Sequence, residues 1–458
     1  MEFEQEEEAP VRSRVTNPGQ LAQLYLTTCS DSQRDYNPYI YEVTREIDQL
    51  PPGTMYGGFT MNLSGSTQLV EGQKLTDDDV TILVHLLRQN TYITGLDLKY
   101  NNITNCGAEL FGKMLLESCT VTDLNLMCND IGRNGAEWLA KGLQLNRSLK
   151  TLRMNGNKIG DAGGMHFATM LQLNKTLESL DLGDCDLEIQ SLIAFATVLN
   201  NNKTLKALDV GRPILYSIQE EAIVHLAYML HVNQTLQELH LAKMGMTNFG
   251  VERLCEKLVQ NQGLRLLDLR CNKISSDGAK SLAELLKHNT ALRILDLAAN
   301  RIEDDGLVYI SEAIRYLNDQ LLALSVARNN ISGIGLMALA NALKSNRTLS
   351  NVYIWGNNFD ESSCSDFASL LKSGRLKPKR TDVSPYWIDG RVYLAELANG
   401  LQMNYYWAPP HGEKDDAALN ASTYLLKDAH SSLSQIDIEE STDVSSPEGG
   451  HYFSTSSF

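Results

Sequence analysis

Apolar residues recur along this chain with a long, regular period. A segment of the form L-x-x-L-x-L-x-x-N-x-I-x-x-x-G, followed by a stretch with helical spacing, returns again and again. Its central apolar position falls at Leu96, Leu124, Leu152, Leu180, Leu208, Leu239, Leu267, Leu295, Leu324 and Val352. The steps are 28, 28, 28, 28, 31, 28, 28, 29 and 28 residues. Within L-D-L or L-N-L the apolar residues alternate, which predicts a short half-buried strand. A strand that short needs partners, and an intervening helix makes those partners parallel. The stretches that follow place apolar residues at i, i+1 and i+4, as in Leu139-Ala140-Leu143 and Leu339-Ala340-Leu343, so one helix face packs on the strand layer. Each unit buries its apolar face only against its neighbours, so the period predicts a stacked array.

The polar positions of the repeat have physical reasons too. Five residues after the anchor stands Asn101, Asn129, Asn157, Asn272, Asn300, Asn329 or Asn357. There an amide can close the loop by bonding backbone groups inside the turn, and losing such a buried bond costs roughly 1–3 kcal/mol. The glycine that follows (Gly107, Gly135, Gly163, Gly250, Gly278, Gly306, Gly335) lets backbones approach where the helix begins. Asn146, Asn174, Asn202, Asn233 and Asn346 lie in N-x-[ST] triplets at the ends of the helices. Their regular placement reads as helix stops, with Asn expected in the left-handed capping conformation, rather than as glycosylation acceptors.

Composition narrows the function class. Of 458 residues, 43% are hydrophobic and 21% charged, with a formal charge of −16. That acidity disfavours direct nucleic-acid binding, which needs a basic stripe, and suits a protein partner with a basic surface. The N-terminus MEFEQEEE does not read as a secretory signal, and no run of eighteen apolar residues occurs, so no membrane role is expected. Eight scattered cysteines form no CxxC pair, which points to an intracellular, reduced compartment. The chain divides into a disordered acidic N-terminus (1–18), a helical N-terminal cap (19–59), the repeat array (60–375), a C-terminal cap (376–410) and a disordered acidic, serine-rich tail (411–458). Within the C-terminal cap, Ile388-Asp389-Gly390-Arg391 suggests a hairpin, with nearby aromatics closing the end of the array.

The repeat resembles the ribonuclease-inhibitor-like class of leucine-rich repeats over about residues 60–375. The resemblance implies an α/β fold: a right-handed leucine-rich-repeat solenoid, or horseshoe, with parallel strands on the concave side and helices on the convex side. NLMCNDIGRNG (125–135), SLDLGDCDLEIQSLIAFATVL (179–199), RPILYSIQEE (212–221) and DGRVYLAELANGLQMNYYW (389–407) are not generic repeat consensus. They resemble one narrower group of such proteins, linked with the nucleus and nucleolus, ribosome production and stem-cell maintenance. A cytoplasmic location also fits.

Candidate contacts come from strand positions that point away from the helices. The residue after each anchor is Asp97, Asn125, Arg153, Asp181, Asp209, His240, Asp268, Asp296, Ser325 and Tyr353. Parallel strands about 4.8 Å apart would align these into one lane, with Asp97, Asp181, Asp209, Asp268 and Asp296 as an acidic strip. The bland alternative is that L-D-L is a frequent form whose Asp is merely solvated. Tyr353 and Trp355 flank the inward Ile354, so both aromatics are expected to project from the concave side as anchors, unless a C-terminal cap folds over them. A third feature is a gap in the Asn positions, which read Cys185, Pro213 and Met244, with the 31-residue step from Leu208 to Leu239. A raised loop there would offer Arg212, Tyr216 and Glu220 as contacts, and a decayed repeat would offer nothing.

Catalysis finds no support. No GxxxxGK[ST], GxSxG or HExxH pattern occurs, and no His–Cys cluster suggests a metal. A lane of single carboxylates on successive strands is not a closed ligand cage. Hence no catalytic residue, metal or cofactor is assigned. The leading reading is a non-enzymatic, monomeric scaffold holding a basic protein, with nucleolar proteins implied by the resemblance. The runner-up is a GTPase-activating leucine-rich-repeat protein, for which Arg212 is the only candidate side chain. A ribonuclease inhibitor is a third reading, set back by the low cysteine content.

Overall fold

The computed structural model describes residues 19–50, 58–65, 74–117, 120–215 and 220–398, apart from the side chain of Gln89. Eleven strands form one parallel sheet in sequence order: β1 (Phe59–Asn62), β2 (Ile93–Asp97), β3 (Asp123–Asn125), β4 (Thr151–Arg153), β5 (Ser179–Asp181), β6 (Ala207–Asp209), β7 (Glu238–His240), β8 (Leu266–Asp268), β9 (Ile294–Asp296), β10 (Ala323–Ser325) and β11 (Asn351–Tyr353). All ten sequence anchors lie on strands and stack directly, for example Leu152 on Leu180 and Leu267 on Leu295. A helix follows every strand. The helices are α1 (Leu21–Asp31), α2 (Pro38–Asp48), α3 (Asp77–Gln89), α4 (Asn105–Leu116), α5 (Arg133–Leu145), α6 (Gly160–Leu173), α7 (Ile189–Leu199), α8 (Glu221–Val232), α9 (Asn248–Leu258), α10 (Ser276–His288), α11 (Glu303–Tyr316), α12 (Gly333–Ser345) and α13 (Glu361–Lys372). Anchor and helix side chains such as Leu139, Leu152, Phe167, Phe195 and Leu339 merge into one continuous buried core along the array. The right-handed α/β solenoid expected from the period is therefore present.

Three polar ladders tie the repeats together. In the first, Asn157 donates from Nδ2 to the carbonyls of Leu126 and Met154, and its Oδ1 accepts the Ile131 N–H. Asn101, Asn129, Asn272, Asn300 and Asn357 bond in the same way. The second runs along the helix ends and corrects the expectation for the N-x-[ST] asparagines. Asn146, Asn174, Asn233 and Asn346 are extended, with φ between −83° and −62°, not left-handed. Each works through its side chain instead. Asn174 Nδ2 reaches back to the Leu143 carbonyl, while Oδ1 accepts from Thr176 and Leu177 N–H groups. Arg375 ends this ladder: its guanidinium bonds the carbonyls of Leu343, Asn346 and Leu349.

The third ladder caps helix N-termini from the preceding repeat. Asp77, Asn105, Asp161, Glu220 and Asp304 each accept the N–H groups that open the next helix, where the helix dipole favours an oxygen. The glycines sit here. A Cβ on Gly135 would lie 2.7 Å from Ile131 and 2.9 Å from Ala108, so close approach of α5 to α4 excludes a side chain. At the C-terminal end, β12 (Val383–Ile388) and β13 (Arg391–Glu396) form an antiparallel hairpin that turns at Asp389-Gly390, both with positive φ. The hairpin packs on α13, on the helix side of the array.

Candidate functional site

The sheet face turned away from the helices carries two lanes, one on each side of the anchors. The lane after the anchors is aligned as expected: Arg153 beside Asp181, Asp181 beside Asp209, Asp209 beside His240, His240 beside Asp268, and Asp268 beside Asp296. Its five aspartates are not equivalent, which corrects the picture of a uniform solvated strip. Asp97 is buried and paired with Lys99 Nζ at 2.7 Å. Asp268 is 0% exposed and lies 3.1 Å from Arg270 and 3.3 Å from His240 Nδ1. Asp296 is 2% exposed. Only Asp181 and Asp209 are partly accessible.

Burial sets the electrostatics of the lane. Desolvation, and then repulsion from Asp209, push the Asp181 carboxyl up to about 7. Asp296 is raised to about 7 for the same reason, with Asp268 as the repelling neighbour. Asp209 is also raised by desolvation, although His240 opposes this. For His240, burial works against the imidazolium. Hydrogen bonds to Asp268 and Glu238, with the charge of Asp209, outweigh it and hold the ring well above its usual range. The centre of the inner face is therefore a buried charge network of Glu238, His240, Asp268 and Arg270.

The second lane changes character along the array. It runs Gly95, Asp123, Thr151, Ser179, Ala207, Glu238, then Leu266, Ile294, Ala323 and Asn351. Leu266, Ile294 and Ala323 join Tyr353 in an apolar cluster separate from the main core. The sequence reading missed both this cluster and the central network. The signal was present in the residue before each anchor, where L-L-D, I-L-D and A-L-S take the place of the small or polar residues of earlier repeats.

The two aromatics part company. Tyr353 does face inward, but it is buried within that cluster. Trp355 does not join it. The strand ends at Tyr353, the alternation stops, and Trp355 packs half-buried against Phe359 and the main core. Its backbone N–H is held by Asp382 Oδ2 at 2.9 Å. The loop residues also differ from what the sequence suggests. Arg212 is exposed but ion-paired with Asp184. Glu220 is no free contact, because its carboxylate accepts the Thr247 and Gly250 N–H groups and the Thr247 hydroxyl, capping α9. Tyr216 lies outside the described residues. Pro213 and its neighbours stay in the array, with the Ile214 N–H bonded to the Leu187 carbonyl.

Among the described residues, no helix is long and apolar enough to cross a membrane, and no group of three His, Cys, Asp or Glu could hold a metal ion. The seven described cysteines are all unpaired.

Fold and polar ladders define the class: this is a leucine-rich-repeat protein. The leucine-rich repeat family pattern matches residues 89–112, 117–140, 145–168, 173–196, 260–283, 288–311 and 320–340. The gap between 196 and 260 coincides with the missing Asn rungs at Pro213 and Met244. The chain is 56% identical over 406 residues to human leucine-rich repeat-containing protein 34, covering 89% of this chain and 88% of that protein. It is 51% identical over 389 residues to the mouse protein of that name, covering 85% and 94%. The chain belongs to the family of leucine-rich repeat-containing protein 34. Among solved structures, an internalin from Listeria monocytogenes is similar at 16% identity and a TM-score of 0.37, over 80% of this chain and 98% of that one.

Proposed function

We propose that this chain is a non-enzymatic protein-binding scaffold whose inner face receives a partner with a basic surface. The observation that carries the reading is the Asp181–Asp209 pair on adjacent strands, partly accessible and raised in pKa by burial. Carboxylates that are costly to ionise alone are stabilised by an incoming lysine or arginine, which takes the place of the proton. The buried network beside them fixes the geometry of the face. Kinship with the leucine-rich repeat-containing protein 34 family, as the sequence resemblance implied, makes nucleolar proteins of ribosome production the first partners to try.

The test is affinity capture from cells with the full chain and with Asp181→Asn/Asp209→Asn, followed by binding of one captured partner across a salt series. The reading expects slower association for the double variant and weaker binding as salt screens the attraction. It also expects binding to strengthen from pH 6 to pH 8, as Asp181 ionises. Indifference to salt, pH and the double variant overturns it.

A further inference from the structure

Charge of the opposite sign gathers at the C-terminal end of the array, on the edge where helices end and strands begin. The loop from α12 to β11 brings Arg347 and Ser350 there, and the segment leaving α13 brings Ser373, Arg375, Lys377 and Arg380. Together they line a cavity of about 420 Å³. Four cations thus share one pocket in a chain whose formal charge is −16. Among the described residues, none of the four has an ion-pair partner.

The fold holds these charges in place. Arg375 is fixed by neutral groups, the carbonyls of Leu343, Asn346 and Leu349, so its charge stays uncompensated. Burial lowers its pKa, the charge of Arg347 lowers it further, and no carboxylate opposes them. Pro378 opens a short 3-10 turn in which the Arg380 N–H bonds the Lys377 carbonyl, and Thr381 then bridges to Val352. Gly374 turns the chain at φ +72°, and nothing lies within 4 Å of where its Cβ would stand, so the pocket is open on that side. Arg347 and Lys377 are exposed, and Arg380 is half-buried. Like charges held together without a counter-charge repel, and an anion seated among them relieves that repulsion.

The positive charge is a spot and not a stripe. Asn346 Nδ2 bonds the Asn318 carbonyl, which sets the register to the preceding repeat. There Asp319 stands in the place of Arg347, and Leu322 in the place of Ser350. A polyanion backbone needs a basic track that continues, whereas a single anionic group needs one pocket.

We propose that the pocket formed by Arg347, Arg375, Lys377 and Arg380 is a binding site for a phosphate monoester displayed on a protein partner, a phosphoserine or phosphothreonine side chain. Such a group carries about −1.5 to −2 charge at pH 7 and three acceptor oxygens, which suits four cations better than the single charge of a carboxylate. The guanidinium forks of Arg347 and Arg380 match phosphate oxygens in pairs, and Lys377 adds a point charge. The site is independent of the inner-face reading, which concerns the opposite charge on another surface.

The test titrates the full chain into a fluorescein-labelled alanine–glycine pentapeptide with one central phosphoserine, read by fluorescence anisotropy at about 0.15 M salt in a phosphate-free buffer. The serine counterpart should bind at least about tenfold more weakly, and Arg347→Gln/Arg380→Gln should weaken the phosphopeptide by about tenfold or more. The melting temperature of that variant should stay at the parental value, because neither side chain has an ion-pair partner to lose. Lys175→Gln, an exposed lysine farther along the same edge, should bind as the parent does. If the double variant melts early, Lys377→Gln gives the same reading on an intact array. Equal affinity for the two peptides, undiminished binding in the pocket variants, or an equal loss in Lys175→Gln overturns the proposal. Inorganic phosphate that competes at the peptide's own concentration also overturns it, since the pocket then takes the free ion. So does tighter binding of an oligothymidylate that is lost in the same variants, which would make the edge a nucleic-acid site.

Discussion

Replacing Asn157 with leucine isolates what one rung of the loop ladder contributes. The side chain is 0% exposed, and leucine matches it closely in size, so the substitution removes polar contacts without opening a cavity. Nδ2 lies 2.9 Å from the Leu126 carbonyl and 2.6 Å from that of Met154, and Oδ1 accepts the Ile131 N–H at 3.1 Å. Met154 keeps the Cys185 thiol as a donor at 3.1 Å and Leu126 keeps Asn129 Nδ2 at 3.0 Å, so the group left without a partner is the Ile131 N–H. At roughly 1–3 kcal/mol for one buried orphan, Asn157→Leu should cost about 1–3 kcal/mol. The neighbouring rung gives the opposite test. Cys185 occupies the Asn position with a weak S–H donor, so Cys185→Asn supplies a stronger donor to the Met154 carbonyl and should stabilise by about 0.5–1.5 kcal/mol. Thermal and denaturant unfolding of the two variants beside the parent chain measures both signs. Equal stability of Asn157→Leu and the parent, or a loss in Cys185→Asn, would refute the account of the ladder.

Other outcomes follow from the buried carboxylates. Asp296 is raised from 3.8 to about 7 in the fold, so the folded state holds a proton that the unfolded state releases. Its contribution is present below about 3.8 and is lost as pH rises through about 7. Asp296→Asn should therefore raise the melting temperature at pH 8 and change it little at pH 4; a larger gain at pH 4 would reverse the sign of the argument. Glu220→Ala removes the cap on α9 and should destabilise by about 1–2 kcal/mol in unfolding experiments, whereas a freely exposed Glu220 would change stability by less than about 0.5 kcal/mol. Trp355→Ala should lower stability through lost packing against Phe359, by about 2–3 kcal/mol for a half-buried ring; unfolding at the parental midpoint would return Trp355 to the surface.

The periodicity made the fold legible, since a repeat fixes strand, helix and register together. The site was legible only in part. Alternation placed the aspartates on the inner face correctly, but it carries no record of depth or pairing. It could not show that Lys99 neutralises Asp97, or that Arg270, two residues beyond Asp268, turns back onto it. It failed at Trp355 because the period-2 rule ends where the strand ends. Glu220 looked like a loop residue because its role is set one repeat away, at the N-terminus of α9. The helix-end asparagines looked like left-handed caps because local sequence favours that conformation, while the preceding repeat offers carbonyls that reward an extended one.

The central claim is that the inner face does the binding. Hydrogen-exchange mass spectrometry of the full chain, with and without one captured partner, tests it most directly. The account predicts that protection on binding maps to β4–β9 and their following loops, and that it weakens in Asp181→Asn/Asp209→Asn. Protection confined to the outer helices, with the strands unchanged, would contradict it.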